Sequence, residues 1–189
     1  MTNPVDDLKE IGQLLALGKI ILCPTDTIWG LSCDAFNKSA VERIYTIKKR
    51  DRTKPLILLV SSISMLKKFA RNIHPRVENL IDLYEKPLTV IHEASDKLPD
   101  YLITDTGTIA IRLTKDETLQ ALISNLGKPI VSTSANLQGA PSPDYFDMIS
   151  EDIKSEVDYV FYTNRSNGKK TSASTIIRYS EEGELFFLR

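Results

Sequence analysis

Short apolar runs of the kind that bury both faces of a strand alternate with segments of helical periodicity along most of this chain, and that alternation restricts it to an α/β architecture. Lys19 to Cys23, Leu56 to Val60, Leu88 to His92, Thr108 to Leu113 and Pro129 to Thr133 read as buried strands. Ser174 to Tyr179 and Glu184 to Leu188 read as a hairpin turned at Glu182-Gly183. Val5, Leu8, Ile11, Leu14 and Leu15 share one helical face, with Asn3 as cap, Pro4 in the first turn and Gly18 as the stop. Ser39-Ala40-Val41-Glu42 and Thr114-Lys115-Asp116-Glu117 fit capping boxes, and Val77, Leu80, Ile81 and Tyr84 mark a further helix face. No repeat or linker divides the 189 residues, so the expectation is one domain over 1–189, a twisted mixed sheet flanked by helices.

Charge and composition narrow the function. A formal net charge of −1 provides no global attraction for nucleic acid, and positive charge is concentrated between Lys48 and Lys54, which favours a small anionic ligand over a long polyanion. Two cysteines, Cys23 and Cys33, without a signal-peptide pattern fit free thiols in a reducing compartment. His74 and His92 have no metal ligand at suitable spacing and read as surface or strand-edge residues. No run approaches the roughly 18 apolar residues of a membrane span, so a soluble cytoplasmic protein is expected.

Two polar signatures carry the chemistry. Lys48-Lys49-Arg50, with Lys54 close behind, supplies fixed positive charge at the end of a helix, where cations also complement the helix dipole. Ser134-Ala135-Asn136 supplies uncharged donors and acceptors at a strand exit. The loop Pro24-Thr25-Asp26-Thr27 leaves another strand at its carboxyl end, which is where open α/β sheets bind ligands. Thr25 and Asp26 read as residues that hold that loop's turn.

Pro24-Thr25-Asp26-Thr27-Ile28-Trp29-Gly30-Leu31, then Lys48-x-Arg50 with Lys54-Pro55-Leu56, then Ser134-x-Asn136, then Ser174-Thr175-Ile176 form an ordered set that resembles the YrdC domain family, the threonylcarbamoyl-AMP synthases, from about Ile20 to Arg189. The resemblance implies a YrdC-like fold with a large concave substrate groove. It also implies a reaction in which L-threonine, bicarbonate and ATP give threonylcarbamoyl-AMP and pyrophosphate for tRNA modification, with Mg²⁺ carried mainly by the nucleotide. Lys48 and Arg50 match catalytic and ATP-binding positions, and Lys54, Thr108, Ser134, Asn136, Ser142 and Arg189 match further nucleotide-binding ones. Thr27, Arg112, Ser132 and Ser174 match positions around threonine, with Arg112 pairing to its carboxylate.

Four departures accompany the match. Trp29 replaces the usual tyrosine, and Lys49 and Asp51 replace the Gly and Pro of a common Lys-Gly-Arg-Pro. Glu85-Lys86-Pro87 lacks a glycine, and Thr133 stands where proline often precedes Ser-Ala-Asn. Two other functions fit the same fold: a double-stranded RNA-binding protein without synthase activity, and a carbamoyl-transfer module. Weak RNA or tRNA contact and downstream tRNA-modification partners are compatible with the synthase reading.

Overall fold

The computed structural model describes residues 5–165 and 172–189. Helix α1 (Leu8–Ala16) opens at Asp7, whose carboxylate accepts the Lys9 N–H at 2.8 Å. Asn3 and Pro4, the expected cap and first-turn residues, lie outside the described residues. Two short strands follow, β1 (Ile21–Cys23) and β2 (Gly30–Asp34), and then α2 (Lys38–Ile47). Asn37, not Ser39, caps α2: its side chain accepts the Ala40 N–H at 3.0 Å. Next come β3 (Ile57–Val60), α3 (Ile63–Phe69) capped by Ser62, β4 (Ala70–Arg71) and α4 (Pro75–Leu83). His74 is the cap of α4, its Nδ1 accepting from Arg76 N at 3.2 Å.

Strands β5 (Leu88–Ala94) and β6 (Thr108–Leu113) lead to α5 (Glu117–Leu126), which is capped by Asp116 rather than Thr114. The chain then forms β7 (Ile130–Ser134), α6 (Glu151–Glu156), β8 (Tyr159–Val160), β9 (Thr175–Tyr179) and β10 (Leu185–Phe187). All the strands join one sheet in the order β10-β9-β5-β6-β3-β7-β2-β1-β8, with β4 pairing beside β5. It is mixed: β3/β6, β5/β9 and β1/β8 are parallel, and the other pairs antiparallel. The expected β9–β10 hairpin is present, with Gly183 at φ 82° in its turn.

Side chains alternate between the two faces of each strand, so the register defines what shares a surface. Ile91, Ala110, Ile57 and Ser132 stand opposite one another across β5, β6, β3 and β7 and form a transverse row. Leu58, Val60, Val90, Ile111 and Val131 project from the opposite face into the core. Burial of such side chains stabilises the fold by about 1.5–3 kcal/mol each. β2 lies tight against β7: a Cβ on Gly30 would come 2.8 Å from Ser132 Oγ, so this position takes no side chain without displacing the neighbour.

His92 departs from the surface or strand-edge placement expected of it. It lies on the core side of β5 with Nδ1 3.2 Å from the Tyr179 hydroxyl. That hydroxyl donates to Asn72 O, so the ring N–H sits on Nδ1, and Nε2 has no partner among the described residues. Burial pushes its pKa down to about 4. Between there and the ordinary value of 6.5 the unfolded chain binds a proton that the native ring does not, so stability is complete above 6.5 and is lost as pH falls. Wild type is expected to lose roughly 3 kcal/mol more than His92→Phe between those pH values. Denaturant titrations across the window measure the difference, and parallel curves would contradict it.

Candidate functional site

A cavity of about 440 Å³ opens on the face carrying the transverse row. Ile57, Ile91, Ala110 and Ile176 provide an apolar floor; around it stand the side chains of Arg50, Lys54, Arg112 and Arg189. No Asp or Glu side chain belongs to this wall among the described residues. Thr27, Ser132, Ser134, Ser142 and Ser174 add hydroxyls. Nine of the expected site residues therefore meet in one place; Lys48, Thr108 and Asn136 do not line it.

The loop after β1 is closed by its threonines. The Thr25 hydroxyl donates to Ile28 O at 2.8 Å while its oxygen accepts the Thr27 N–H at 3.0 Å. Its one proton being committed, the 2.7 Å contact between Thr25 and Thr27 is donated by Thr27. Thr27 Oγ1 in turn accepts from Arg112 Nη1 at 3.1 Å. Thr25 thus holds the turn as expected. Asp26 does not: its carboxylate leaves the loop and approaches Arg112, with Nη2 and Oδ1 3.2 Å apart. Burial lowers the Arg112 pKa, the Asp26 charge opposes that shift, and Arg189 adds to it.

Arg50 braces the segment that follows α2, donating to Lys54 O at 3.2 Å and Pro55 O at 3.1 Å. Lys48 is 1% exposed and turns the other way. Its ammonium donates to Ser134 O, to Asn136 O at 2.5 Å and to Asn136 Oδ1 at 3.3 Å. Desolvation, with a smaller contribution from the Arg50 charge, brings its pKa down to about 8. Asn136 is used within its own turn, accepting from the Ser134 hydroxyl and donating to Ala140 O at 2.6 Å. Thr108 shares the face of β6 with Ala110 and Arg112 but lies beyond the cavity, bonded to Thr104 at 2.7 Å.

At the far end, the Ser174 hydroxyl meets Thr89 at 2.8 Å. Arg189 is tied down by the Ile176 N–H donating to its carbonyl at 3.0 Å, and its guanidinium donates to Ser174 O at 3.2 and 3.3 Å. Trp29, on the cavity wall, packs on Phe146 with ring centroids 4.8 Å apart. The floor residues escaped sequence reasoning because none is polar. Strand alternation was the available signal, since counting by twos from Thr108 reaches Ala110 and from Ser174 reaches Ile176.

Two departures from the family pattern now have a structural account. The 85–87 segment has no residue at positive φ, so it needs no glycine. Lys49, by contrast, adopts φ 48°, the left-handed region in which a glycine is unstrained. Lys49 is exposed, so Lys49→Gly is expected to stabilise the protein by about 0.5–1 kcal/mol in urea unfolding. A loss of that size would contradict the strain argument.

The Sua5/YciO/YrdC family model, described as telomere recombination, matches residues 13–189. A threonylcarbamoyl-AMP synthase of Pseudoalteromonas translucida is 33% identical over 165 residues, covering 86% of this chain and 87% of the relative. The structure of P. abyssi Sua5 complexed with L-threonine superposes with a TM-score of 0.84 at 28% identity, over 96% of this chain and 53% of that one. This chain thus spans about half the length of that Sua5. E. coli YciO, at 23% identity and a TM-score of 0.82 over 98% of this chain and 91% of its own, shows the shared fold. The chain belongs to the Sua5/YciO/YrdC family.

Proposed function

We propose that this protein is an L-threonylcarbamoyladenylate synthase and that the 440 Å³ cavity is its substrate groove. The observation that carries the proposal is the convergence of Arg50, Lys54, Arg112 and Arg189 with a set of hydroxyls over an apolar floor. The volume lies within the roughly 300–1,000 Å³ typical of small-molecule sites. The relatives named threonylcarbamoyl-AMP synthase, and the Sua5 complexed with L-threonine, support the choice of substrates.

In this reading the amino nitrogen of threonine bonds to the carbon of bicarbonate, and water leaves. A carbamate oxygen then bonds to the α-phosphorus of ATP as the bond to pyrophosphate breaks. Charge builds on the phosphoryl oxygens and the leaving group, and Arg50, Lys54 and Arg189 stabilise it without changing protonation state. Arg112, with Thr27, Ser132 and Ser174, receives the threonine, while Ser134 and Ser142 contact the nucleotide and Thr108 reaches its outer end. Lys48 and Asn136 serve by shaping the turn that presents Ser134. The wall has no Asp or Glu side chain among the described residues, in keeping with Mg²⁺ carried mainly by the triphosphate.

The cytoplasmic assignment draws on Cys23 and Cys33, which are buried free thiols, with the Cys23 pKa raised by burial to about 12. No helix among the described residues is long and apolar enough to cross a membrane. Exposed Lys49, Arg52 and Lys54 make a small basic rim suited to weak, salt-sensitive RNA contact.

Pyrophosphate release from ATP is expected to require threonine and bicarbonate together. Equal release with either omitted would mean a simple ATP hydrolase. Arg50→Ala is expected to slow turnover by about 10²–10³-fold, as for loss of a group that stabilises transition-state charge. Activity within a few-fold of wild type would remove Arg50 from that role.

A further inference from the structure

Arg112 lies deep in the cavity wall, and what holds its guanidinium there comes largely from another segment. Asp26, in the loop after β1, forms a buried ion pair with it, the side chains being 9% and 5% exposed. The other carboxylate oxygen, Oδ2, accepts the Lys115 backbone N–H at 3.0 Å, just beyond the strand β6 that carries Arg112. Lys115 itself is anchored, its ammonium donating to Asp82 O at 3.0 Å near the end of α4. Asp26 is therefore fixed to the exit of β6 independently of Arg112. The loop has no need of that carboxylate, because Thr25 and Thr27 close it alone.

The pair leaves bonding capacity unused. Arg112 Nε and Asp26 Oδ1 are buried without a hydrogen bond among the described residues. The 3.2 Å approach of Nη2 to Oδ1 is close enough for strong Coulomb attraction but is not aligned as a hydrogen bond. Charge and direction, more than hydrogen bonding, are thus what Asp26 contributes. A buried guanidinium deprived of its counter-charge faces a large desolvation cost and relaxes toward solvent.

We propose that Asp26 is a positioning residue of the amino-acid subsite: it keeps the Arg112 guanidinium in place for a substrate carboxylate without touching that substrate. Arg112 and Thr27 line the cavity, whereas Asp26 does not. The inference rests on the assignment of Arg112 to threonine made above.

The sign of the Asp26→Asn effect is diagnostic. A carboxylate that merely competed with substrate for Arg112 would, once neutralised, leave threonine bound more tightly; a positioning carboxylate would leave it bound more weakly. Threonine affinity is measured by titration calorimetry, and substrate dependence by pyrophosphate release, in wild type, Asp26→Asn, Asp26→Glu, Arg112→Ala and the double variant Asp26→Asn/Arg112→Ala. Asp26→Asn is expected to weaken threonine about tenfold, while the ATP requirement shifts less than about threefold. Asp26→Glu, which restores the charge, is expected to recover part of that loss. In the double variant threonine should bind no more weakly than in Arg112→Ala, because Asp26 acts only through Arg112.

Tighter or unchanged binding in Asp26→Asn, or losses that add in the double variant, would overturn the proposal. Should Asp26→Asn fail to fold, the double variant, which leaves neither charge of the pair buried alone, and Asp26→Glu carry the comparison. A wild-type protein that neither binds threonine nor needs it for pyrophosphate release would instead overturn the functional reading on which this one stands.

Discussion

Lys48 caps the C-terminus of helix α2 with its ammonium almost wholly removed from solvent, and the acceptors it meets there belong to the end of β7 and the turn after it: Ser134 O, Asn136 O and Asn136 Oδ1. A buried ammonium is costly unless its acceptors are held in place. Here they are, because the Gln138 N–H returns to Lys48 O at 3.0 Å and Gln138 Oε1 accepts the Asp51 N–H at 2.8 Å. The two polar motifs, far apart in sequence, are stitched into one edge of the cavity. Arg50 then points from that edge toward the cavity, and its own contacts hold the Lys54–Pro55 segment.

The remaining charges form an arrangement that favours an anion. Four cationic side chains border one apolar floor, and Asp26 is paired to one of them from behind the wall. Like charges over a low-dielectric surface repel more strongly than in water; burial is the main cause that lowers the Arg112 pKa, and the Arg189 charge adds to it. A triphosphate and an amino-acid carboxylate would relieve the repulsion. Arg112, buried and held in place, is a charge that needs little reorganisation when substrate charge develops, which is the physical basis of electrostatic catalysis.

Much of this was legible in the chain. Strongly patterned strands such as Leu56 to Val60 and Thr108 to Leu113 carry their assignment locally, because a continuous apolar run bounded by turn residues has few other ways to bury. β2 is hard to read because Gly-Leu-Ser-Cys-Asp alternates over only two apolar residues and has no β-branched one; pairing with β1 and β7 makes it a strand. β4 and β8, two residues each, are likewise products of their neighbours. The caps at Asn37 and Asp116 were misplaced by two residues because several capping residues stand in a row and tertiary contacts choose among them.

At the site, residue type was readable but direction was not. Lys48 and Arg50 look interchangeable in sequence, yet a helix end rotates them apart, one into the protein and the other toward the cavity. Asp26 has the local signature of a turn residue, and only the packing of the loop against β6 reveals its partner. His92 is polar on a strand whose neighbouring side chains gave no indication of a tyrosine arriving from β9.

In the proposed function one cavity receives threonine and ATP side by side, with Lys48 bound behind it. A crystal structure with L-threonine and a non-hydrolysable ATP analogue tests this most directly. The threonine carboxylate is expected against Arg112, the triphosphate along Arg50, Lys54 and Arg189, and the Lys48 ammonium still on the carbonyls of Ser134 and Asn136. Ligands bound elsewhere, or Lys48 swung out onto the phosphates, would contradict it.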